Sequence, residues 1–324
     1  MDWGGLANYG LFFIIYVGIY AVLALGLNIQ WGYTGLFNIG ISGFFMVGAY
    51  TSTILTKPES FGHLGGFGQP FVVGLLAAGA LSALIALLIG IPTLRLRDDY
   101  LAIATIGIAE TLRLVVMNEQ WLTAGVWGIA GIPQPLRHMF PDNYNLFFAG
   151  LVIVMVALVY FAIERGIRSP WGRVLKAIRE DEGVAQAVGK DVFLFKLQAL
   201  VVGAFIMGMA GSLFAHFTAY ISPEAFEPMN GTFLVWAMLI VGGSGNSRGA
   251  ILGALIIWAI WSGTDIVAAQ LPATLGPRVH ALRVMLIGLL LMVTLVLRPQ
   301  GILGEERHVS RMLQRRGLDK AVDA

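Results

Sequence analysis

Long runs of apolar residues recur along the whole chain, and this repetition limits the fold more than any other feature. Several runs approach the ~20 residues that an α-helix needs to cross the hydrocarbon core of a bilayer. Apolar residues make up 57% of the chain and charged residues only 12%, and the mean hydropathy is +0.77. A soluble domain, in which about a quarter of the residues are charged, could not bury this much apolar surface. The sequence therefore predicts an all-α, polytopic membrane protein.

We predict about nine membrane-spanning segments, within a range of about eight to ten. They cover residues 11–29, 35–55, 70–91, 100–117, 146–163, 196–216, 232–245, 249–270 and 281–298. Cytoplasmic loops are enriched in Lys and Arg, and strict alternation across these spans collects most basic residues on one side. That side holds Arg95, Arg97, Arg165, Arg168, Arg173, Lys176, Arg179, Lys190, Lys196, Arg248 and the basic residues from Arg298 to Lys320. The other side holds only Lys57, Arg137, Arg278 and Arg283. We therefore expect the N-terminus outside and the C-terminus in the cytoplasm.

The same pattern suggests how the chain is organised. We expect a single transmembrane permease domain over residues 1–300, which includes a cytoplasmic segment at 165–192, followed by a cytoplasmic tail at 301–324. The net charge of +2 gives no indication of nucleic-acid binding, so membrane lipids are the expected surroundings. The absence of cysteine excludes disulfides and thiolate metal sites.

Glycines are concentrated in two apolar stretches, 32–50 and 242–253. Small residues allow helices to pack closely, and this accounts for most of the glycines. The other interpretation is a broken helix along a substrate path, because irregular backbone is tolerated in a membrane where it faces protein or water. Asn38 and Ser42 favour a substrate path in the first stretch, since a polar amide facing lipid is costly. Ser244 is the candidate in the second stretch.

One compact polar stretch, residues 168–191, carries nine charged residues between two apolar spans. Ser169 can cap a helix, and Pro170 suits its first turn. An apolar stripe at helical spacing follows, formed by Trp171, Val174, Leu175 and Ile178. We expect Gly183 to interrupt this helix, a second short helix to follow, and Gly189 to end it.

The surface of this stretch allows two interpretations. An amphipathic helix can lie on anionic lipid head groups, but the acidic run Glu180, Asp181 and Glu182 would be repelled there. A surface of mixed charge with one tryptophan suits docking to a protein partner, which is the interpretation that we favour.

Glu110 and Arg113 lie three residues apart on one helix face, well inside the fourth predicted span. Charged side chains within a membrane usually pair and face the bundle interior or a cavity. We favour a structural ion pair that fixes the position of the helix. A polar patch beside the substrate path is the alternative.

Motifs for catalysis are not found in the sequence. GVAQAVGKD differs from the phosphate-binding pattern GxxxxGK[ST], since it has five residues between its glycines and Asp191 in place of Ser or Thr. GGSGN lacks the final glycine of GxSxG. The five histidines do not share the helical spacing of metal ligands. We therefore expect no catalytic residues, no metal site and no cofactor on this chain.

Five blocks of the sequence resemble, in order, the branched-chain amino acid ABC transporter permeases of the LivM type. The blocks are ALGLNIQWGYTGLFNIGISGFFMVGAY, LRLRDDYLAIATIGIAETLRLV, GIAGIP, RSPWGRVLKAIREDEGVAQAVGKD and LIVGGSGNSRGAILGA. Together they span nearly the whole chain. The resemblance implies a permease subunit in a bacterial or archaeal cytoplasmic (inner) membrane, which carries branched-chain or other hydrophobic amino acids into the cytoplasm.

The resemblance also implies partners and a docking segment. The partners are a second homologous permease of the LivH type, two cytoplasmic ATPase subunits that bind and hydrolyse the ATP, and an extracytoplasmic substrate-binding protein. In this family the loop after the fifth span couples the permease to the ATPase. Carried over to this sequence, the coupling residues are Pro170, Trp171, Gly172, Arg173, Val174, Lys176, Ala177, Ile178, Arg179, Glu180, Asp181, Glu182, Ala185 and Gly189.

Three other functions stay open at this point. GNSRG at 245–249 departs from the more usual pattern of the family, so a permease for urea or short-chain amides is an alternative. A secondary transporter is less well supported, because Glu110 is the only clear candidate for an ion-coupling residue inside a span. A membrane-embedded enzyme is disfavoured by the missing catalytic motifs.

Overall fold

The computed structural model of the chain describes residues 3–58, 62–269 and 276–305, and nearly all the apolar runs within them are helical. In chain order the helices are α1 (Trp3–Leu27), α2 (Ile41–Thr56), α3 (Phe71–Thr93), α4 (Asp98–Asn118), α5 (Gln120–Thr123), α6 (Tyr144–Ile167), α7 (Pro170–Glu180), α8 (Glu182–Ala187), α9 (Val192–Thr218), α10 (Leu234–Gly242), α11 (Ser247–Ala269) and α12 (Gly276–Leu297). The two short strands are β1 (Ile129–Ala130) and β2 (Tyr220–Ile221), which pair antiparallel. Wide π-helical turns cover Asn28–Gly32 and Met229–Phe233, and 3-10 turns cover Gly125–Trp127 and Pro223–Phe226.

Six helices of the described chain are long and apolar enough to cross a membrane. They are Asn8–Gly32, Phe71–Thr93, Asp99–Asn118, Tyr144–Ile167, Val192–Thr218 and Ser247–Ile266. Three shorter apolar helices are Ile41–Thr56, Met229–Gly242 and Ala281–Leu297. Each predicted segment overlaps one of these nine helices, and the all-α, polytopic fold class is confirmed.

The two glycine-rich segments differ from the predicted boundaries. The predicted span at 35–55 begins too early, because residues 33–40 are not helical and α2 starts only at Ile41. The predicted span at 232–245 ends too late, because α10 stops at Gly242. The predicted boundaries passed over these breaks because the irregular segments are short and largely buried, with apolar helices on both sides.

Helix α9 lies in the middle of the bundle, packed against α1, α2 and α3. Glycines bring the backbones of α2 and α9 together: a methyl group at Gly48 would overlap the carbonyl oxygen of Gly208, and one at Gly211 would overlap that of Phe45. Close helix packing is therefore confirmed as the role of these glycines. His216, fully buried on α9, donates from Nδ1 to the carbonyl of Pro133 (2.7 Å) and bonds Ser52 through Nε2 (2.9 Å), so it is a packed residue.

The bundle has two distinct ends. The short β1–β2 pair and the loops around residues 62–70 and 119–143 lie at one end. Helices α7 and α8 lie at the other, together with the irregular segment 33–40 and the turn 243–246.

Residues 301–305 belong to the packed structure of this second end. The amides of Ile302 and Leu303 donate to the carbonyls of Val241 and Gly242, both at 2.9 Å. The expected boundary after residue 300 therefore falls inside a packed segment, and the remainder of the predicted tail, 306–324, lies outside the described residues.

Candidate functional site

The first helix break is built around two buried side-chain amides. Gln30, in the π-helical turn after α1, donates to the carbonyl of Leu200 (2.9 Å) and accepts from Nδ2 of Asn38 (2.8 Å). Oδ1 of Asn38 accepts from the amide of Gly40 (2.8 Å). Gln30 and Asn38 have no exposed surface. Both amides are thus satisfied inside the protein, as the interior of a membrane protein requires.

Side chains from other helices bind the backbone of the same break. Trp236 on α10 donates to the carbonyl of Asn38 (3.1 Å), and Thr105 on α4 accepts from the amide of Ile39 (3.0 Å). The amide of Ser42, at the start of α2, donates to the hydroxyl of Thr232 (3.1 Å). The break is therefore a defined element held by α4 and α10.

The second break is the glycine turn 243–246 between α10 and α11. Gly243 and Gly245 have φ angles of 119° and 80°, which side chains other than glycine rarely adopt. The amide of Gly245 donates to Oδ1 of Asn28 (2.9 Å), and Ser247 shares a hydrogen bond with the Tyr33 hydroxyl (2.9 Å). The two glycine-rich stretches of the sequence thus meet in space, and Ser244 lies half-buried in the turn where they meet.

Glu110 and Arg113 form the predicted ion pair on α4. Nε of Arg113 lies 3.1 and 3.0 Å from the two carboxylate oxygens of Glu110, and the side chains are 17% and 36% exposed for Arg113 and Glu110 respectively. Within the described residues no hydrogen bond or ion pair joins either side chain to Asn38, Ser42 or Ser244. Asn38 and Ser42 thus belong to the first break and Ser244 to the second, whereas Glu110 and Arg113 bond to each other and to none of the three.

The charged stretch folds into the two short helices that its sequence predicts, with two corrections. Ser169 precedes α7, but its hydroxyl donates to the carbonyl of Gly166 (2.6 Å) and does not cap the helix. Gly183 lies within α8, and the interruption falls at Asp181, whose carboxylate accepts from the amide of Val184 (3.0 Å). Asp181 is the stronger break because its side chain caps the second helix. Gly189, at φ 79°, follows the end of α8 as predicted.

The apolar stripe of α7 faces the protein's own helices. Leu175 is fully buried, and Ile178 packs in a small cluster with Ala185 and Val192. Trp171 is half-buried, and its Nε1 donates to Gln198 of α9 (2.8 Å). Ile178, a member of the predicted stripe, is therefore covered by this chain itself.

Burial divides the fourteen predicted coupling residues. Gly172, Ile178 and Ala185 are buried, and Trp171, Val174 and Lys176 are half-buried. The exposed ones are Pro170, Arg173, Ala177, Arg179, Glu180, Asp181, Glu182 and Gly189. Two apolar side chains that the sequence analysis did not select, Val184 and Val188, are 61% and 68% exposed on the same surface. They are the apolar residues that a docking partner can reach.

Arg179 connects α7 to both helix breaks. Its Nη1 donates to the carbonyl of Gly32 and to Glu305 (2.9 Å). A Cβ at Gly245 would lie 2.8 Å from the same nitrogen, and one at Gly35 would lie 3.4 Å from Cγ of Arg179. Arg179 therefore lies against the first break, the second break and the segment after α12.

A second basic side chain strengthens this junction. Lys176 pairs with Glu305 (3.1 Å) and lies 5.6 Å from the ring centre of Tyr33. The sequence analysis missed Gln30, Asn28 and Glu305 because their partners are distant in sequence. The signal available was the presence of two amides, Asn28 and Gln30, inside an apolar run. In the described part of the chain there is no cluster of three His, Asp or Glu side chains that could hold a metal ion.

Comparison with known proteins agrees with this architecture. The family described as "Branched-chain amino acid transport system / permease component" matches residues 10–295. The LivM permease of the high-affinity branched-chain amino acid transport system of Salmonella typhimurium is 32% identical over 308 residues, covering 88% of this chain and 68% of the relative. A probable LivM permease of Methanocaldococcus jannaschii is 26% identical, covering 94% and 96% of the two chains.

A further relative belongs to the companion class of permeases. A probable LivH permease of Methanocaldococcus jannaschii is 25% identical over 313 residues, with 93% of each chain covered. No solved structure gives a significant match. The described helices and the extent of the family match lead to one conclusion: this chain belongs to the branched-chain amino acid transport permeases, as a multi-pass inner-membrane subunit of the LivM type that is not itself an enzyme.

Proposed function

We propose that this permease imports branched-chain or other hydrophobic amino acids, driven by ATP that two cytoplasmic partner subunits hydrolyse. The remaining partners are a LivH-type permease and an extracytoplasmic substrate-binding protein. The LivM relatives are branched-chain amino acid transport permeases, which supports the substrate class. The similarity of this chain to a LivH permease supports a pair of related permeases in one transporter.

The observation that carries the proposal is the position of the α7–α8 pair. These helices lie outside the apolar spans, and Arg179 of α7 contacts both breaks in the membrane helices. A partner that moves α7 therefore displaces a side chain bound to the end of α1 and to the turn before α11. This arrangement converts a movement of a soluble subunit into a rearrangement inside the membrane domain.

We place the ATPase contact on the outer surface of the pair. Val184 and Val188 are the exposed apolar residues there, and Glu180, Asp181, Glu182 and Lys190 form a charged rim. An apolar centre with a polar rim is the usual anatomy of a protein interface. Pro170, Arg173, Ala177 and Gly189 are the other exposed members of the coupling segment, whereas Gly172, Ile178 and Ala185 support it from inside.

The substrate path follows from the same arrangement. We infer that segment 33–40 and turn 243–246 are the parts of its wall that change shape, because irregular backbone at membrane depth is typical of transport pathways. Asn38 and Ser42 belong to the first of these and Ser244 to the second. Glu110 and Arg113 form no hydrogen bond or ion pair with either break in the described chain, so we assign them a structural role.

Replacing the two exposed valines tests the docking surface. The double substitution Val184→Asp and Val188→Asp is expected to reduce co-purification of the ATPase about tenfold or more, because charges would enter the apolar centre of the interface. The control is Val126→Asp, the same type of substitution at one 50% exposed valine near the opposite end of the bundle. Unchanged ATPase recovery with the double variant, or equal loss with the control, contradicts the proposed surface.

Transport by the assembled complex tests the function itself. The tagged chain is purified with its partners, placed in lipid vesicles and supplied with binding protein and ATP. We expect ATP-dependent accumulation of leucine, isoleucine or valine, and none with the ATPase partners removed. Uptake of urea or acetamide in preference to these amino acids, or uptake that needs no ATP, contradicts the proposal.

A further inference from the structure

A polar pocket and an apolar groove meet beside α7. The pocket has a volume of about 520 Å³ and lies between the end of α6, the outer side of α7 and the start of α11. The groove has a volume of about 630 Å³ and runs between α1, α6 and α11. Tyr160 and Arg248 line both cavities, so the pocket and the groove adjoin at these two side chains.

The pocket is basic. Its lining includes Arg168, Arg173, Lys176 and Arg248 but only two carboxylates, Glu164 and Glu180. Glu164 is paired with Arg168 (3.2 Å), and Lys176 is paired with Glu305 (3.1 Å). Within the described residues the guanidinium of Arg173 has neither a hydrogen bond nor an ion pair. The pocket therefore offers a favourable position for an anion.

The groove is apolar along its length. Apart from Arg248 and Tyr160 at its mouth, its walls are apolar side chains and glycine, for example Val17 and Gly18 on α1 and Val156 on α6. From Arg248 to Leu255 it follows α11 for about 10 Å, at about 1.5 Å per residue. Nε of Arg248 donates to the hydroxyl of Tyr160 (3.1 Å), which holds the guanidinium at the junction of pocket and groove.

We propose that the pocket and groove together bind one anionic phospholipid of the cytoplasmic leaflet. The phosphate group lies between Arg173 and Arg248, and one acyl chain fills the groove. Basic pockets between membrane helices on the cytoplasmic side recognise anionic head groups, and the adjoining apolar groove supplies the position for the chain. The bound lipid joins α7 to α1, α6 and α11. The predicted orientation of the chain decides only which leaflet supplies the lipid, and the argument for the site itself does not depend on it.

Both parts of the ligand follow from the site. A zwitterionic phospholipid carries a cation that the guanidinium of Arg173 would repel, and a soluble anion would leave the groove empty. A helix of the second permease could fill the groove, but an apolar helix would leave the charge of the pocket unused. The ligand that matches pocket and groove at once has a negative head and a hydrocarbon chain.

Titration with labelled lipid tests the head-group contact. The full chain in detergent is titrated with fluorescent phosphatidylglycerol, and with phosphatidylcholine that carries the same label and chains. The double substitution Arg173→Gln and Arg248→Gln is expected to weaken phosphatidylglycerol binding about thirtyfold, at about fivefold for each basic residue. Arg173→Gln alone, at an exposed side chain that does not affect folding, is expected to weaken binding about fivefold.

A matched control separates the pocket from general surface charge. Arg95→Gln with Arg97→Gln removes the same charge from the connection between α3 and α4, at the same end of the bundle, and should leave the phosphatidylglycerol affinity unchanged. Equal affinity of the unmodified chain for the two lipids overturns the proposal. So does an equal loss of affinity in the control.

Filling the groove tests the acyl-chain contact. Ala157 lines the groove, whereas Leu158 is the next residue of the same helix and points away from it, 60% exposed. Ala157→Trp is expected to abolish tight binding of phosphatidylglycerol, and Leu158→Trp to leave it intact. Cross-linking of position 157 to the second permease in the assembled transporter would show that a protein occupies the groove, and would overturn the proposal.

Discussion

The side-chain amide of Asn38 forms two hydrogen bonds inside the protein: Nδ2 donates to Gln30, and Oδ1 accepts from the backbone amide of Gly40. Its carbonyl accepts from Trp236, which lies nearly two hundred residues further along the chain. A buried amide left without partners would cost about 1–3 kcal/mol, so this network specifies one arrangement of the break. At the scale of single residues, the polar side chains of the first break hold its irregular backbone in place.

The ion pair on α4 gives a prediction at the same scale. Glu110→Gln removes the carboxylate that pairs with Arg113 inside a span, and we expect this to lower the free energy of unfolding by about 2–3 kcal/mol, the cost of a poorly compensated charge at membrane depth. Adding Arg113→Gln removes that charge and should restore most of the stability. The stability of both variants is compared with that of the unmodified chain by the midpoint of thermal unfolding of monodisperse protein in detergent.

The double variant is the internal control of this experiment. If it is no more stable than Glu110→Gln alone, the two side chains do not act as a pair. If it is as stable as the unmodified chain but the complex no longer transports, the pair takes part in transport, against the structural role assigned above.

Single residues also show the limit of the sequence analysis. Asn38 could be selected because an amide is costly in an apolar run, and Glu110 and Arg113 because helical spacing places them together. Arg179 was selected only as one member of the coupling segment, and its central position was not predicted, since its contacts with Gly32 and Gly35 join segments far apart in sequence. Composition reports that a side chain is unusual, whereas its partner depends on the tertiary fold.

Secondary-structure elements show the same division. The positions of α7 and α8 follow from Pro170, from the apolar spacing and from Gly189. The sequence does not determine which way the apolar stripe of α7 faces, because an amphipathic helix can bury its stripe against its own protein, a lipid surface or a partner. Leu175 and Ile178 face this chain's own helices, and the exposed valines lie in α8 (Val184) and directly after it (Val188).

The contact between α2 and α9 gives a prediction at the scale of elements. A methyl group at Gly48 would overlap the carbonyl oxygen of Gly208, and both positions are in helices that cannot move apart without opening the core. Gly48→Ala is therefore expected to destabilise the protein by roughly 2 kcal/mol, in the range for overpacked cores. The midpoint of thermal unfolding in detergent measures the change.

Gly107 on α4 is the matched control for this substitution. It is also a glycine inside an apolar helix, but a Cβ there would meet no atom within 4 Å. Gly107→Ala should be neutral or stabilising by up to about 1 kcal/mol, because alanine favours the helix. Equal effects of the two substitutions would mean that helix propensity, and not the α2–α9 contact, determines the result.

At the scale of the whole molecule, apolar periodicity was enough to predict a polytopic helical bundle. It did not predict that the two glycine-rich stretches meet, because the bond from Gly245 to Asn28 depends on how α1, α10 and α11 pack. The expected boundary after residue 300 falls inside a packed segment, since the amides of Ile302 and Leu303 donate to carbonyls at the end of α10. Span positions are local properties of the sequence, and the junction below the bundle is a property of the assembled helices.

The orientation of the molecule gives the last prediction. The structure places Arg173 and His138 at opposite ends of the bundle, and the excess of Lys and Arg at the end that holds Arg173 predicts that this end is cytoplasmic. Because the chain has no cysteine, single cysteines give a clean signal. In intact cells a membrane-impermeant maleimide should label the His138→Cys variant, and should label Arg173→Cys only after permeabilisation. Ala210→Cys, at a fully buried position, should stay unlabelled in both conditions. Labelling of Arg173→Cys in intact cells would show that the orientation is the opposite one. In that orientation α7 and α8 could not contact a cytoplasmic ATPase.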